Sequence, residues 1–210
     1  MRRIIIWIYF TILAGSVCAQ GTRTIVLNQP DLKRGLPVME ALSLRASAGE
    51  FTGAKLSIRD LSDLLWAANG INRSSEGKRT AASAMNSQDI DLYVVLEEGV
   101  FLYDAAHHIL NGIASGDQRA IVADNQVEMA KAAVFLVLVS DISRFKSGAE
   151  SLKLSWAAFD AGIVSQNISI FCAGTGLKTR IRASMNQQKL REILKLKDSQ
   201  HLMLNNPVSY

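Results

Sequence analysis

Residues 133–139 read Ala-Val-Phe-Leu-Val-Leu-Val, the most apolar stretch outside the N-terminal leader. A strand sends successive side chains to opposite faces, so an apolar run without polar alternation fits a strand covered on both sides. Its short length and its valines favour a strand over a buried helix. The fold must therefore provide a sheet with packing above and below this segment.

Around it the pattern alternates between helix and strand without regular βαβ repetition, which predicts an α+β fold. Val38 and Leu42, with Met39 and Ala41 beside them, predict a helix ending near Arg45. Ser57 is a candidate cap for a helix through Leu61, Leu64, Leu65 and Ala68 that stops at Gly70. Residues 77–88 are small and polar and read as a loop. Residues 90–96 and 100–103 are rich in β-formers on either side of Glu97-Glu98-Gly99 and read as a hairpin. Residues 117–132 read as helical. Leu152, Trp156, Phe159, Ile163 and Ile170 recur at helical spacing through residues 150–173, with Gly174 and Gly176 as the stop. Asn186 is the cap expected for a last helix, and residues 200–208 read as a closing strand.

The N-terminus carries Arg2 and Arg3, an apolar run from Ile4 to Ala14, and small residues at Val17-Cys18-Ala19. This is the build of a signal peptide, residues 1–19, and too short to span a bilayer comfortably. An uncleaved anchor and lipidation at Cys18 are the alternatives. Cleavage after Ala19 leaves about 190 residues, enough for one substantial core. Residues 20–37, with Pro30 and Pro37, read as an extended N-terminal arm, and residues 38–210 as the domain. The formal charge of +4 falls to +2 once Arg2 and Arg3 are gone, and the basic residues lie scattered among acids. No basic stripe argues for nucleic acid. Cys172 is then the only cysteine, on the apolar face of a helix, and reads as core. No later apolar run approaches a span, so no stable membrane insertion is expected after cleavage.

Two polar segments could carry chemistry. Arg45-Ala46-Ser47 ends a helix and precedes Phe51; a guanidinium and a hydroxyl two residues apart can address one phosphate. The same Arg could instead cap the helix carbonyls. Ala82-Ser83-Ala84-Met85-Asn86-Ser87-Gln88 offers side chains that both donate and accept, as the edge of a flavin pyrimidine ring requires. A solvated turn is the plain reading of that composition. His107-His108 has no Cys or carboxylate cluster at ligand spacing, so no metal is expected.

In this order the pieces resemble the nitroreductase family over most of the mature chain. Arg45, Ser47 and Phe51 match its opening signature; Ser83, Asn86 and Gln88 match its second loop, with Ala82 where Pro is usual. Asp160-Ala161-Gly162 through Gly176-Leu177 matches its long dimer-forming helix, with Lys178 replacing a Gly, and Pro207-Val208-Ser209 stands near the closing motif. Leu64-Leu65-Trp66-Ala67-Ala68-Asn69-Gly70-Ile71-Asn72-Arg73 is most similar to the branch that includes azoline-oxidising dehydrogenases.

The resemblance implies a mainly antiparallel central sheet flanked by helices, and a homodimer with FMN at each of two subunit interfaces. Arg45 and Ser47 would hold the cofactor; Ser83 and Asn86 would come from the partner, with Gln88 nearby; Ala183 and Ser184 would set a backbone N–H against flavin N5. The flavin would carry hydride in ping-pong fashion from a donor such as NAD(P)H to a nitro, quinone or other small acceptor, without a side-chain acid or base. Free nicotinamides are mostly cytosolic, so an exported, periplasmic enzyme would meet another donor. The chain departs from the family pattern at Gly49 and after its last strand, where basic residues are usual. Each lost charge-assisted phosphate bond costs roughly 1.5–3 kcal/mol. Arg79, Arg180 and Arg182 are candidates to substitute, although Arg180 and Arg182 on one face of a possible strand read most simply as solvent-exposed. The alternatives are a flavin-binding or structural homodimer without turnover, and an unrelated secreted α+β binding domain.

Overall fold

The structure, a computed structural model, describes residues 23–210; the leader lies outside the described residues. The apolar run becomes β7 (Val134–Asp141), flanked in a seven-stranded, wholly antiparallel sheet by β4 (Ile90–Leu96) and β9 (Gln200–Ser209). Beyond β4 lie β5 (Gly99–Asp104), β6 (Ile109–Ser115) and the edge strand β1 (Thr24–Val26); beyond β9 lies the two-residue β8 (Lys178–Thr179). Every residue of β7 from Val134 to Ser140 is buried.

Its side chains split as the pleat requires. Val134, Leu136 and Leu138 pack with Leu64 and Leu65 of α2 (Ile58–Asn69) and with Val164 and Ile168 of α4 (Glu150–Thr175). Phe135, Val137 and Val139 pack on the other face with Val122 of α3 (Arg119–Ala123) and with Leu190 and Leu194 of α5 (Gln187–Leu194). The sheet is thus sandwiched between helices, as one unbroken apolar strand demanded.

Local signals set the helix ends. The Ser57 hydroxyl accepts from the Asp60 N–H at 3.0 Å and opens α2. Gly70 closes it by donating to the Trp66 carbonyl at 2.8 Å, where a Cβ would sit 2.5 Å from the indole ring. Asn186 caps α5 through the Lys189 N–H. Gly176, at φ +76°, ends the 26-residue α4. The first helix, α1 (Val38–Leu44), packs against α4.

Three segments differ from the sequence reading. Residues 117–132 form only the five-residue α3 and a 3-10 turn over Val127–Lys131, because Asp124 turns to φ +53°, ψ −127° and breaks the helix. Residues 77–88 are not all loop: β3 (Lys78–Arg79) pairs with β2 (Ile71–Arg73), and Ala84–Asn86 forms a 3-10 turn. Within the stretch read as an arm, Thr24–Val26 pairs with β6, a strand that Asn111 and Gly112 hid from pattern reading. Gly112 is there for space: a Cβ would lie 2.8 Å from the Arg23 carbonyl oxygen.

Candidate active site

Phe51 is buried in the core while Arg45 and Ser47 are exposed. The aromatic therefore anchors the segment, and the two polar side chains stay available at the end of α1. The Ala48 N–H donates to the Thr179 carbonyl at 2.9 Å and the Thr52 N–H to the Ser209 hydroxyl at 3.2 Å, fastening the segment to β8 and β9. Between it and the last turns of α4 opens a cleft of about 520 Å³ lined by Ala46, Ala48, Gly49, Ser169, Cys172 and Lys178. Small residues on one wall leave room for a flat ring or a phosphate. Lys178, read from sequence only as a missing Gly, supplies a cation there. Burial pushes the Cys172 thiol up, which keeps it an inert core residue.

The second signature sits elsewhere. The Ala84 N–H donates to both carboxyl oxygens of Asp160, at 3.1 and 2.9 Å, which pins the loop to the middle of α4. The Gln88 N–H donates to the Ser83 hydroxyl at 2.9 Å, and Met85, Asn86 and Gln88 all have positive φ. Three such non-glycine residues in one short loop mark a shape imposed by its surroundings. Asn86 is exposed. Gln88 is engaged within the chain: it accepts from Arg79 Nε at 2.9 Å and donates to the Gly77 carbonyl at 2.9 Å. Arg79 also donates to the Asn69 carbonyl at 3.0 Å. Arg79 and Gln88 thus brace the loop from behind.

Beside the loop lies a pair of buried acids that pattern reading did not single out. Asp89 and Asp160 are 0% and 3% exposed, and the Ser140 hydroxyl donates to Asp89 Oδ2. Burial pushes the Asp89 carboxyl up to about 7, against the pull of the Ser140 bond and with the help of neighbouring Asp160.

Ala183 and Ser184 are exposed on the extended segment after β8. Asn205 Nδ2 holds the Ser184 carbonyl at 3.0 Å. Among the described residues, no hydrogen bond takes up the backbone N–H of either Ala183 or Ser184.

The two arginines beside them behave differently from the expectation of a common exposed face. Arg180 is half-buried and Arg182 is 6% exposed. The Arg182 guanidinium donates to the Ala123 and Val122 carbonyls at 2.9 and 3.3 Å, to Asn205 Oδ1 at 2.8 Å and to Gln126 Oε1 at 3.0 Å. It satisfies carbonyls left open by the early break of α3, so its donors are committed inside the protein. His107 and His108 are likewise engaged locally, with Asp104 at 2.7 Å and the Tyr103 hydroxyl at 2.8 Å.

Within one copy the two signatures do not meet. One rests against α4 at Ser169 and Cys172, the other at Asp160. At 1.5 Å per residue, Asp160 and Cys172 stand about 18 Å apart along the helix axis. The outer face of α4 exposes Phe159 (67%), with Leu152 and Ile163 also exposed, and α1 adds Val38, Met39 and Leu42.

The model of the nitroreductase family matches residues 42–210. The chain belongs to the nitroreductase family. It is 35% identical to a Ralstonia eutropha protein assigned as a nitroreductase, whose crystal structure superposes with a TM-score of 0.83 over 89% of each chain. A Methanocaldococcus jannaschii protein assigned as a nitroreductase is 26% identical over 190 residues, covering 86% of this chain and 95% of the relative. The fold alone is shared with a chain of the Escherichia coli microcin synthetase McbBCD complex, at 16% identity, a TM-score of 0.70, and coverage of 98% of this chain and 84% of that one. The family is one of oxidoreductases.

Proposed function

We propose that this protein is an exported, FMN-dependent oxidoreductase that works as a homodimer. The separation of the two signatures along α4 is the observation that supports it most. A second copy packed against the exposed Phe159 and Ile163 side would bring the partner's loop toward the Arg45 end of the first. Burial of such an apolar stripe is a strong drive for association.

The residues present suit FMN. Arg45 and Ser47 are uncommitted at the surface, Lys178 lines the neighbouring cleft, and small residues border it. Arg45, Ser47 and Lys178 would bind the phosphate. Ser83 and Asn86 of the second copy would meet the polar edge of the ring, with Arg79 and Gln88 holding their loop in shape. The backbone N–H groups of Ala183 and Ser184 would face the reactive nitrogen. When bound, FMN supplies hydride transfer between a reduced donor and a small acceptor. No acid or base is asked of the side chains; they bind, orient and exclude water. The signal-peptide build of residues 1–19 supports export to a periplasm. Among the described residues, no helix is long and apolar enough to cross a membrane.

A second reading, a flavin-binding dimer without turnover, draws on Arg182 and Arg79 being committed inside the protein. Absorbance separates the two. The purified protein is expected to be yellow, bleached by NADH, NADPH or dithionite, and reoxidised by a nitroaromatic or a quinone. A yellow protein that dithionite bleaches and no acceptor reoxidises supports the second reading. A colourless monomer that ignores added FMN overturns both.

A further inference from the structure

Asp89 and Asp160 carry opposite chemical demands in the same small space. Both are buried, Asp89 just before β4 and Asp160 on α4, and each is the other's neighbour. Asp160 accepts the Ala84 N–H on both oxygens. Asp89 Oδ2 accepts from Ser140, while Asp89 Oδ1 is buried without a partner. An acceptor-only oxygen left dry beside a second carboxylate is a costly arrangement. A proton between the two carboxyls removes that cost, because it gives Asp89 Oδ1 a donor role toward Asp160.

Among the described residues, the bonds to the pair come from the Ala84 N–H and the Ser140 hydroxyl alone, and the buried Nε2 of His201 has no partner. Asp160 comes from α4 and Ser140 from β7; His201 of β9 stands opposite Ser140 in register. On the loop side, Arg144 donates to the Gln88 carbonyl at 2.9 Å but pairs with Asp91 at 2.7 Å, and Arg79 is tied to the Gln88 side chain. Among the described residues, no lysine or arginine bonds to either buried acid.

We infer that Asp89 and Asp160 share one proton, and that this proton positions the 83–88 loop. With the proton present, the pair carries a single negative charge and Asp160 keeps its grip on Ala84. When the proton leaves, two buried like charges repel. The restraint at Ala84 then loosens, and the positive-φ shape of Met85, Asn86 and Gln88 loses its support. Both acids are positioning residues, since neither is itself part of the proposed cofactor contact. The consequence for ligand binding rests on the flavin reading above; the shared proton does not.

The test uses the flavin-free protein first. Carbon-13 labelling of aspartate, read by infrared or NMR, is expected to report one buried protonated carboxyl at about pH 6 that disappears by about pH 9. Over the same range the exchange protection of the Ala84 amide is expected to fall about tenfold. In Asp89→Asn the amide donates in place of the proton, so the carboxyl signal vanishes and Ala84 stays protected throughout. Absence of a protonated carboxyl in the unmodified protein, or protection at Ala84 that does not follow its loss, overturns the inference without needing any variant. If these signals appear and FMN fails to bind, the shared proton stands and the flavin reading falls. If FMN binds, its affinity is expected to drop about tenfold between about pH 6 and about pH 9, and to stay level in Asp89→Asn.

Discussion

The backbone N–H of Ala84 lies 2.9 Å from Asp160 Oδ2, and that contact fixes the Asn86 loop halfway along α4. The Arg45 segment is fastened to β8, near the far end of the same helix. In the proposed dimer a ligand would meet the two groups on two copies of the chain.

Arg45 is exposed and holds no core contact, so its loss should act on ligand rather than on fold. Arg45→Ala is expected to weaken FMN binding at least about tenfold, the value of one charge-assisted phosphate bond. The melting temperature of the flavin-free protein should stay unchanged, because surface substitutions away from special features are nearly neutral. Flavin titration beside a thermal melt checks both halves.

Phe159 is two-thirds exposed at the middle of α4. Phe159→Glu would put a charge in the proposed contact between copies. Analytical ultracentrifugation is expected to show a dimer for the unmodified protein and a monomer for the variant, and the monomer should lose FMN as well. A dimer that survives the substitution with its flavin intact would move the interface elsewhere.

Arg34 clamps residues 28–36 onto α2. It pairs with Asp60 and, at 2.8 Å, with Asp63, which is only 3% exposed. Removing it leaves the buried Asp63 carboxylate without a cation and with the Asp31 N–H as its remaining donor, so Arg34→Ala should cost about 3–5 kcal/mol in urea unfolding. Burial works against the Asp60 charge, but hydrogen bonds from Ser57, Tyr210 and Arg34 outweigh it and hold the carboxyl down to about 2. A folded-state value below the unfolded one means stability that is complete above about pH 4 and drains away as pH falls toward about 2. Acid unfolding should show this loss, and Asp60→Asn should reduce it.

Much of the architecture was legible because the signals were local. The unbroken apolar run of β7, the caps Ser57 and Asn186, and the stop at Gly176 each act within a few residues of where they are read. The hidden parts depend on distant partners. Arg182 looks like a surface residue until the broken end of α3 brings it the Val122 and Ala123 carbonyls. Gln88 looks like a ligand contact until the β2–β3 hairpin delivers Arg79 to it. Asp89 and Asp160 become a pair only when β4 and α4 pack together. Sequence spacing cannot register any of these.

The most direct test is subunit complementation. Arg45→Ala and Asn86→Gly each damage a different half of the proposed site, and glycine at position 86 keeps the positive φ without strain. Each variant alone should bind little FMN. Mixed and allowed to exchange, about half of the dimers contain one copy of each, and each of these has one undamaged site, so about a quarter of all sites should recover full-affinity FMN binding. No recovery from a mixture proven by mass spectrometry to contain mixed dimers would mean that one chain builds the whole site, and the two-copy account would be wrong.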